Sequence, residues 1–153
     1  MSNEPETGNE NAAHQLIEAM PFANLMGVEL GGASAHEVHG RLAWSPQRCT
    51  TGGILHGGAL MALADSLGAI CAFLNLPSGA ATSTIESKTN FFRAVRDGFA
   101  EAVSRPLHVG RTTIVVQTDI FDAQHRRVAQ VTQTQAVLSP RALGGGPAGQ
   151  GNA

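Results

Sequence analysis

Charge is scarce in this sequence. Charged residues make up 14% of the 153, and ten basic against twelve acidic side chains leave a formal net charge of −2 with a pI near 6.3. That excludes the broad basic field that a nucleic-acid backbone needs, and no stretch interleaves aromatics with Lys or Arg. Nucleic acid is not an expected partner. Lysine is nearly missing: nine basic residues are Arg and only Lys88 is Lys, a bias that codon usage explains as well as phosphate recognition does. Cysteine is limited to Cys49 and Cys71, which form no close-spaced pair. This argues against a disulfide framework and a structural zinc site, and fits a reducing cytoplasm. Met1 to Asn11 is polar and acidic, with neither a basic n-region nor an apolar h-region, so no secretory signal is expected. The most apolar run, Ala59 to Leu76, is interrupted by Asp65, Ser66, Gly68 and Asn75, which suits a buried helix of a soluble protein better than a membrane span.

What is present reads as one α+β domain. Apolar residues reach 42%, and a chain of this length closes a single core. With so little surface charge, part of the surface is expected to lie against another subunit. Residues 1–11 read as a flexible arm, residues 12–141 as the domain and residues 142–153 as a disordered Gly-rich tail. A short helix is expected from Ala12 to Met20, ended by Pro21. Val28–Leu30 and Val38–Trp44 read as a hairpin turning through Gly31-Gly32-Ala33-Ser34, with Val38, Gly40, Leu42 and Trp44 sharing a face. After a Thr/Gly-rich loop, Cys49 to Gly53, the run His56–Leu76 is Ala/Leu-rich on nearly every side, and such a helix belongs at the centre of a fold. Four strand-like segments follow the Pro77-Ser78-Gly79 breaker: Ala81–Phe92, Gly98–Pro106, Thr112–Phe121 and Val128–Leu138. Their short links predict an antiparallel sheet covering the helix.

Two features bear on chemistry. His56-Gly57-Gly58 stands where the loop turns into the central helix. Glycines there admit close approach of a ligand, while free N–H groups and the positive dipole end attract an oxyanion. Asp65 is the one charged residue between Gly57 and Leu76, and an ionised carboxylate in an apolar helix needs a partner or a cavity. Gly57 and Asp65 are eight residues apart, or ~12 Å along one helix. A single carbonyl carbon cannot reach both, so a site using both must draw them from two subunits. His36 and His39, three apart in a strand, point to opposite faces and make a poor metal pair. Glu86 and His108 read as strand-surface residues, and Cys71 reads as core filling.

The run Gly53-Ile54-Leu55-His56-Gly57-Gly58-Ala59-Leu60-Met61-Ala62-Leu63-Ala64-Asp65 is followed by Lys88-Thr89-Asn90-Phe91-Phe92-Arg93 and by Gly110-Arg111-Thr112-Thr113. In order and spacing, over residues 22 to 141, this resembles the hotdog-fold acyl-CoA thioesterases, in particular the phenylacetate-pathway and 4-hydroxybenzoyl-CoA thioesterase type. The resemblance implies a hotdog fold, in which an antiparallel sheet wraps one long central helix. It also implies a homodimer paired edge to edge and further pairing into a homotetramer. It assigns Asp65 as nucleophile or general base, the Gly57 N–H as the donor to the thioester oxygen, and His56 as the residue shaping that loop. Thr84 matches the position of a hydroxyl that orients the attacking water. Arg93, Arg111, Thr112 and Arg141 fall where the family contacts coenzyme A. The family often has Asn or Gln six residues before the His; here that position is Thr50, beside Thr51, so a shorter hydroxyl takes the role or the role is absent.

The reading that results is hydrolysis of a small acyl-CoA or aryl-CoA thioester, with no metal or redox cofactor and no membrane partner. Two alternatives stand beside it. One is an acyl-CoA-binding protein that uses the same groove without catalysis, a possibility kept open by Thr50. The other is a hydratase or dehydratase on the same fold, for which the His56 to Asp65 spacing is a poor match.

Overall fold

The computed structural model describes residues 6–140; Arg141 and the Gly-rich stretch 142–153 lie outside the described residues. In chain order the elements are α1 (Glu6–Glu18), α2 (Pro21–Met26), β1 (Val28–Ala33), β2 (Val38–Ala43), β3 (Cys49–Thr50), β4 (Ile54–Leu55), α3 (Gly57–Phe73), β5 (Ala81–Phe91), β6 (Phe99–Val109), β7 (Thr113–Asp122) and β8 (Arg127–Leu138). Six strands form one antiparallel sheet in the order β1-β2-β6-β7-β8-β5, and β3 pairs with β4 in a separate two-stranded ribbon. The sheet wraps α3, as a hotdog fold does.

Strand alternation explains the wrapping. Val38, Gly40 and Leu42 of β2, Ile114, Val116 and Ile120 of β7, and Val131 of β8 are buried on the helix side of the pleat. Opposite them α3 buries Ala59, Leu60, Leu63, Ala64, Leu67, Gly68, Ile70, Cys71 and Ala72. At Gly40 the contact is so close that a Cβ would lie 2.8 Å from a Leu67 methyl and 2.8 Å from the Glu29 carbonyl. Glycine there lets the helix press directly onto the strand.

Four local expectations are corrected. The first helix begins at Glu6, inside the stretch read as a loose arm, and ends at Glu18 rather than Met20. Once Ala13 and Ile17 are docked in the core, extending a helix by one residue adds a hydrogen bond without a new nucleus. Pro21 does not merely end a helix; it opens α2 in the first turn, where its missing N–H costs nothing. Gly31 to Ala33 belong to β1, with a bulge between Leu30 and Gly32, and the turn falls at Ser34–Glu37, where the Ser34 N–H donates to the Glu37 carbonyl. Finally, the loop before α3 contains the β3–β4 ribbon. Its turn needs Gly52 and Gly53, at φ +80° and +70°.

Two surfaces stay open. The edge strand β5 has no fully buried residue along its eleven positions, and Ile85 and Phe91 are 64% and 50% exposed. On α3 the stripe Met61, Asp65 and Phe73 is exposed as well. The helix is central but not sealed, and Asp65 is therefore a solvent-facing acid in the single chain rather than a buried one.

Because Leu67 fills the only space a Cβ could take, Gly40→Ala is expected to destabilise the fold by about 1–3 kcal/mol. Urea unfolding reads this directly, and an unchanged midpoint would contradict the packing described.

Candidate active site

The helix start is fixed from both sides. The β3–β4 ribbon is tied down by Trp44, whose indole N–H donates to the Gly53 carbonyl at 3.0 Å, and by Arg96, which donates to the Gly52 carbonyl at 3.3 Å. The Leu55 N–H donates to Val95 and the His56 N–H to Arg48, both at 2.9 Å. His56 is the N-cap of α3, with φ −61° and ψ 136°, and its Nδ1 accepts from the Gly58 N–H at 2.8 Å. This satisfies one of the orphan donors of the first turn. The Gly57 N–H has no acceptor among the described residues, so one amide remains free at the positive end of the helix dipole. The Phe91 ring lies against Gly57, 3.1 Å from where a Cβ would be.

Two turns further along α3, Asp65 sits in a polar network built by β5 and β8. Gln133 Nε2 donates to Asp65 Oδ1 at 2.6 Å, and the Thr84 hydroxyl donates to the same oxygen at 3.3 Å. Thr84 in turn accepts from Gln135 Nε2 at 2.9 Å, and the Thr82 hydroxyl donates to Gln135 Oε1 at 3.2 Å. Every hydroxyl hydrogen in this chain is directed, since Thr84 can accept from Gln135 only by turning its own hydrogen toward Asp65. One carboxylate oxygen is thus held by two donors. Oδ2 has none among the described residues, and the residue is exposed.

The register of β5 makes this possible. A bulge between Thr84 and Glu86 inserts Ile85 and restores the pleat so that Thr84 and, beyond it, Phe91 both face α3. Gln133 and Gln135 are fully buried and went unrecognised in the sequence, where Thr132-Gln133-Thr134-Gln135 looks like a polar face. The signal was present: both glutamines share strand parity with Val131 and Val137.

The other expected site residues are placed as follows. Thr50 is exposed on β3, at the ribbon before α3, on the His56 side rather than the Asp65 side. Arg93 is exposed and donates to the Arg127 carbonyl at 3.1 Å. Arg111 and Thr112 are exposed in the β6–β7 turn, where the Thr112 carbonyl accepts from the Val137 N–H. Arg93 therefore lies at one end of β8 and Arg111 with Thr112 at the other, roughly 30 Å apart along the strand. One chain does not bring these together, nor does it bring Gly57 to Asp65. A cavity of about 330 Å³ opens beside the helix start, lined by Phe22, Met26, Gln47, Arg48, Cys49 and His56 among others. Cys71 is buried, and burial pushes its thiol up to about 12, which leaves it unreactive core filling. Among the described residues no group of three His, Cys, Asp or Glu side chains is placed to hold a metal ion, and no helix is long and apolar enough to cross a membrane.

Residues 52–129, which contain the helix start, Asp65, Thr84 and Arg111, match the family model of the thioesterase superfamily. The 1,4-dihydroxy-2-naphthoyl-CoA hydrolase of Escherichia coli (strain K12) is 35% identical over 86 residues, 56% of this chain and 63% of that protein. The aligned part is thus less than two thirds of that relative's length. ComA2 of Bacillus subtilis (strain 168) is 31% identical over 127 residues, 82% of this chain and 95% of the relative. Among solved structures, a thioesterase from Haemophilus influenzae superposes with a TM-score of 0.77 at 25% identity, over 82% of this chain and 87% of that one.

Thr84→Val keeps the shape but leaves the buried Gln135 amide without an acceptor. The expected loss is about 1–3 kcal/mol of stability, with Thr84→Ser near wild type. Equal denaturation midpoints for the two variants would mean that the Thr84–Gln135 bond does not form.

Proposed function

The chain belongs to the thioesterase superfamily, and from that premise we propose that it hydrolyses a small acyl-CoA or aryl-CoA thioester to the free acid and coenzyme A in the reducing cytoplasm. The observation that carries the reading is the asymmetry of Asp65: Oδ1 is held by Gln133 and Thr84, Oδ2 has no donor among the described residues, and the residue is exposed. An oxygen held in place without being consumed by its neighbours is suited to attack or to take a proton. In one route Oδ2 removes a proton from water, hydroxide adds to the thioester carbon, and the C–S bond breaks to release coenzyme A thiolate and the acid. In the other, Oδ2 adds to that carbon itself, thiolate leaves, and water cleaves the resulting anhydride. Either way the carbonyl oxygen gains charge, and the free Gly57 N–H at the helix start is the donor for it. Thiolate leaves readily, so the site needs no strong general acid.

The two halves of this site come from two copies of the chain. The exposed edge strand β5 is a ready template for pairing. Phe91 marks the Gly57 end of α3 and Thr84 marks the Asp65 end. An isologous antiparallel pairing that sets Thr84 opposite the partner's Phe91 carries the free amide of one copy toward the carboxylate of the other. The same register sets Thr82 opposite the partner's Arg93. This delivers that guanidinium to the corner that holds Arg111 and Thr112, as a coenzyme A phosphate site needs. The cavity next to His56 and Gly58 then lies where an acyl group would extend from a carbonyl bound at Gly57. An aryl-CoA substrate agrees with the Escherichia coli relative's name, and the phenylacetate-pathway or 4-hydroxybenzoyl-CoA subtype and the homotetramer rest on resemblance. A binder that does not turn over remains the competing reading, since Thr50 is exposed where the family often carries an amide.

In an assay of free coenzyme A across a panel of acyl-CoAs, Asp65→Asn is expected to lower kcat by at least about 10³-fold, the scale of losing a nucleophile or base. Unchanged turnover would remove Asp65 from the chemistry, and tight binding of acyl-CoA without product from the wild type would favour the binder. Gly57→Pro tests the amide. Position 57 is the first helical residue, where proline is tolerated, and His56 at ψ 136° already has the backbone that precedes proline. Losing that single N–H is expected to reduce kcat by about 10²–10³-fold. Gly57→Ala meets the same Phe91 ring but keeps the N–H, so it should remain far more active; equal activity of the two variants would contradict the oxyanion role.

A further inference from the structure

We infer that Gln133 is the positioning residue for Asp65, and that position 68 is glycine so that the Gln133 amide can be clamped between β8 and α3. The inference rests on the hydrolytic role of Asp65 proposed above and adds a residue to it. Gln133 is fully buried, yet only half of its amide is satisfied: Nε2 donates to Asp65 Oδ1 at 2.6 Å, while Oε1 has no partner among the described residues. That oxygen is pressed against the helix backbone. A Cβ on Gly68 would stand 1.8 Å from Oε1 and 3.0 Å from Cδ, so no other residue at 68 leaves room for the amide in this pose.

A buried carbonyl without a donor is unfavourable, and stability alone would place Leu or Met at 133. Turning the amide over does not help, because Oε1 would then face a carboxylate and Nε2 would be the orphan. The observed pose is the one that suits an ionised Asp65, and its purpose is read from what it fixes. Thr84 from β5 reaches Oδ1 at 3.3 Å, a long bond that leaves the carboxylate free to swing. Gln133 from β8 supplies the short one. Two donors from two strands converge on one oxygen and set the direction of Oδ2, which points away from both. The groups facing Asp65 are then Thr84 from β5 with Gln135 behind it, and Gln133 from β8. Ser66, its neighbour on α3, is turned back onto the Ala62 carbonyl.

The experiment uses the full chain and compares Gln133→Leu, Gln133→Glu and Gly68→Ala with wild type and Asp65→Asn, by thermal melting and by the kcat and KM of coenzyme A release. Gln133→Leu is expected to melt no lower than wild type and to lose about tenfold or more in kcat with KM within a few-fold. A loss in kcat alone is the sign of a reacting group that is misdirected while the substrate still binds. Gly68→Ala should give the same kinetic change from the opposite side by displacing the amide. If Gln133→Leu does not fold, Gln133→Glu, which has nearly the same shape but puts an acceptor where the donor stood, is expected to show the same loss in kcat. A folded Gln133 variant with wild-type kcat, while Asp65→Asn is inactive, overturns this inference and leaves the hydrolase reading standing. An active Asp65→Asn overturns both.

Discussion

Both groups proposed for the chemistry are carried by one rigid rod. The free amide of Gly57 and the carboxylate of Asp65 lie on α3, separated by ~12 Å of helix that cannot shorten, and everything else in the structure answers to that spacing. The sheet wraps α3 on one side and leaves the stripe of Met61, Asp65 and Phe73 uncovered. The strand beside that stripe, β5, is the sheet's edge, with no strand on its outer side among the described residues. In the proposed dimer a second copy would pair on that open edge and bring the two groups together again, so that quaternary structure and chemistry would follow from one constraint.

Around Asp65 the structure uses hydrogen bonds rather than desolvation. An acid can be made reactive by burial, at the cost of taking a charge out of water; here the residue is exposed, and what the hydrogen bonds fix is its orientation. The buried glutamines of β8 occupy helix-facing positions that flanking strand residues give to valine. Their donors run in one direction, from Thr82 through Gln135 and Thr84 to Asp65, with Gln133 arriving separately. Low dielectric strengthens such a network and makes each unfilled valence in it expensive, which is why the orphaned Gln133 oxygen carries information about function.

Much of the fold was legible in the sequence, and the reasons can be named. The strands of the main sheet declared themselves by period-two alternation and by glycine and proline breaks, and the central helix by its apolar length. What could not be read depends on tertiary ties. The β3–β4 ribbon exists because Trp44 and Arg96 anchor its glycine turn, and α2 because Pro21 can start a helix as well as stop one. At the site, Asp65 was visible as a lone charge in need of a partner or a cavity, but the partner that holds it most closely, Gln133, was not. Gln133 and Gln135 were hidden by their polarity, since a Thr/Gln strand reads as a wet face until its register against β5, including the Ile85 bulge, is known. Of the coenzyme A contacts assigned by resemblance, Arg93 sits at one end of β8 and Arg111 with Thr112 at the other, a separation no linear motif discloses.

The claim that the site is shared between two chains is tested most directly by mixing two dead variants. Asp65→Asn and Gly57→Pro would be unfolded together, refolded at equal amounts and assayed for coenzyme A release. In a hybrid dimer one of the two sites regains an intact carboxylate from one copy and an intact amide from the other, so statistical mixing should restore about a quarter of wild-type activity. A mixture no more active than its components would show that Gly57 and Asp65 do not act on one substrate across a pair of chains.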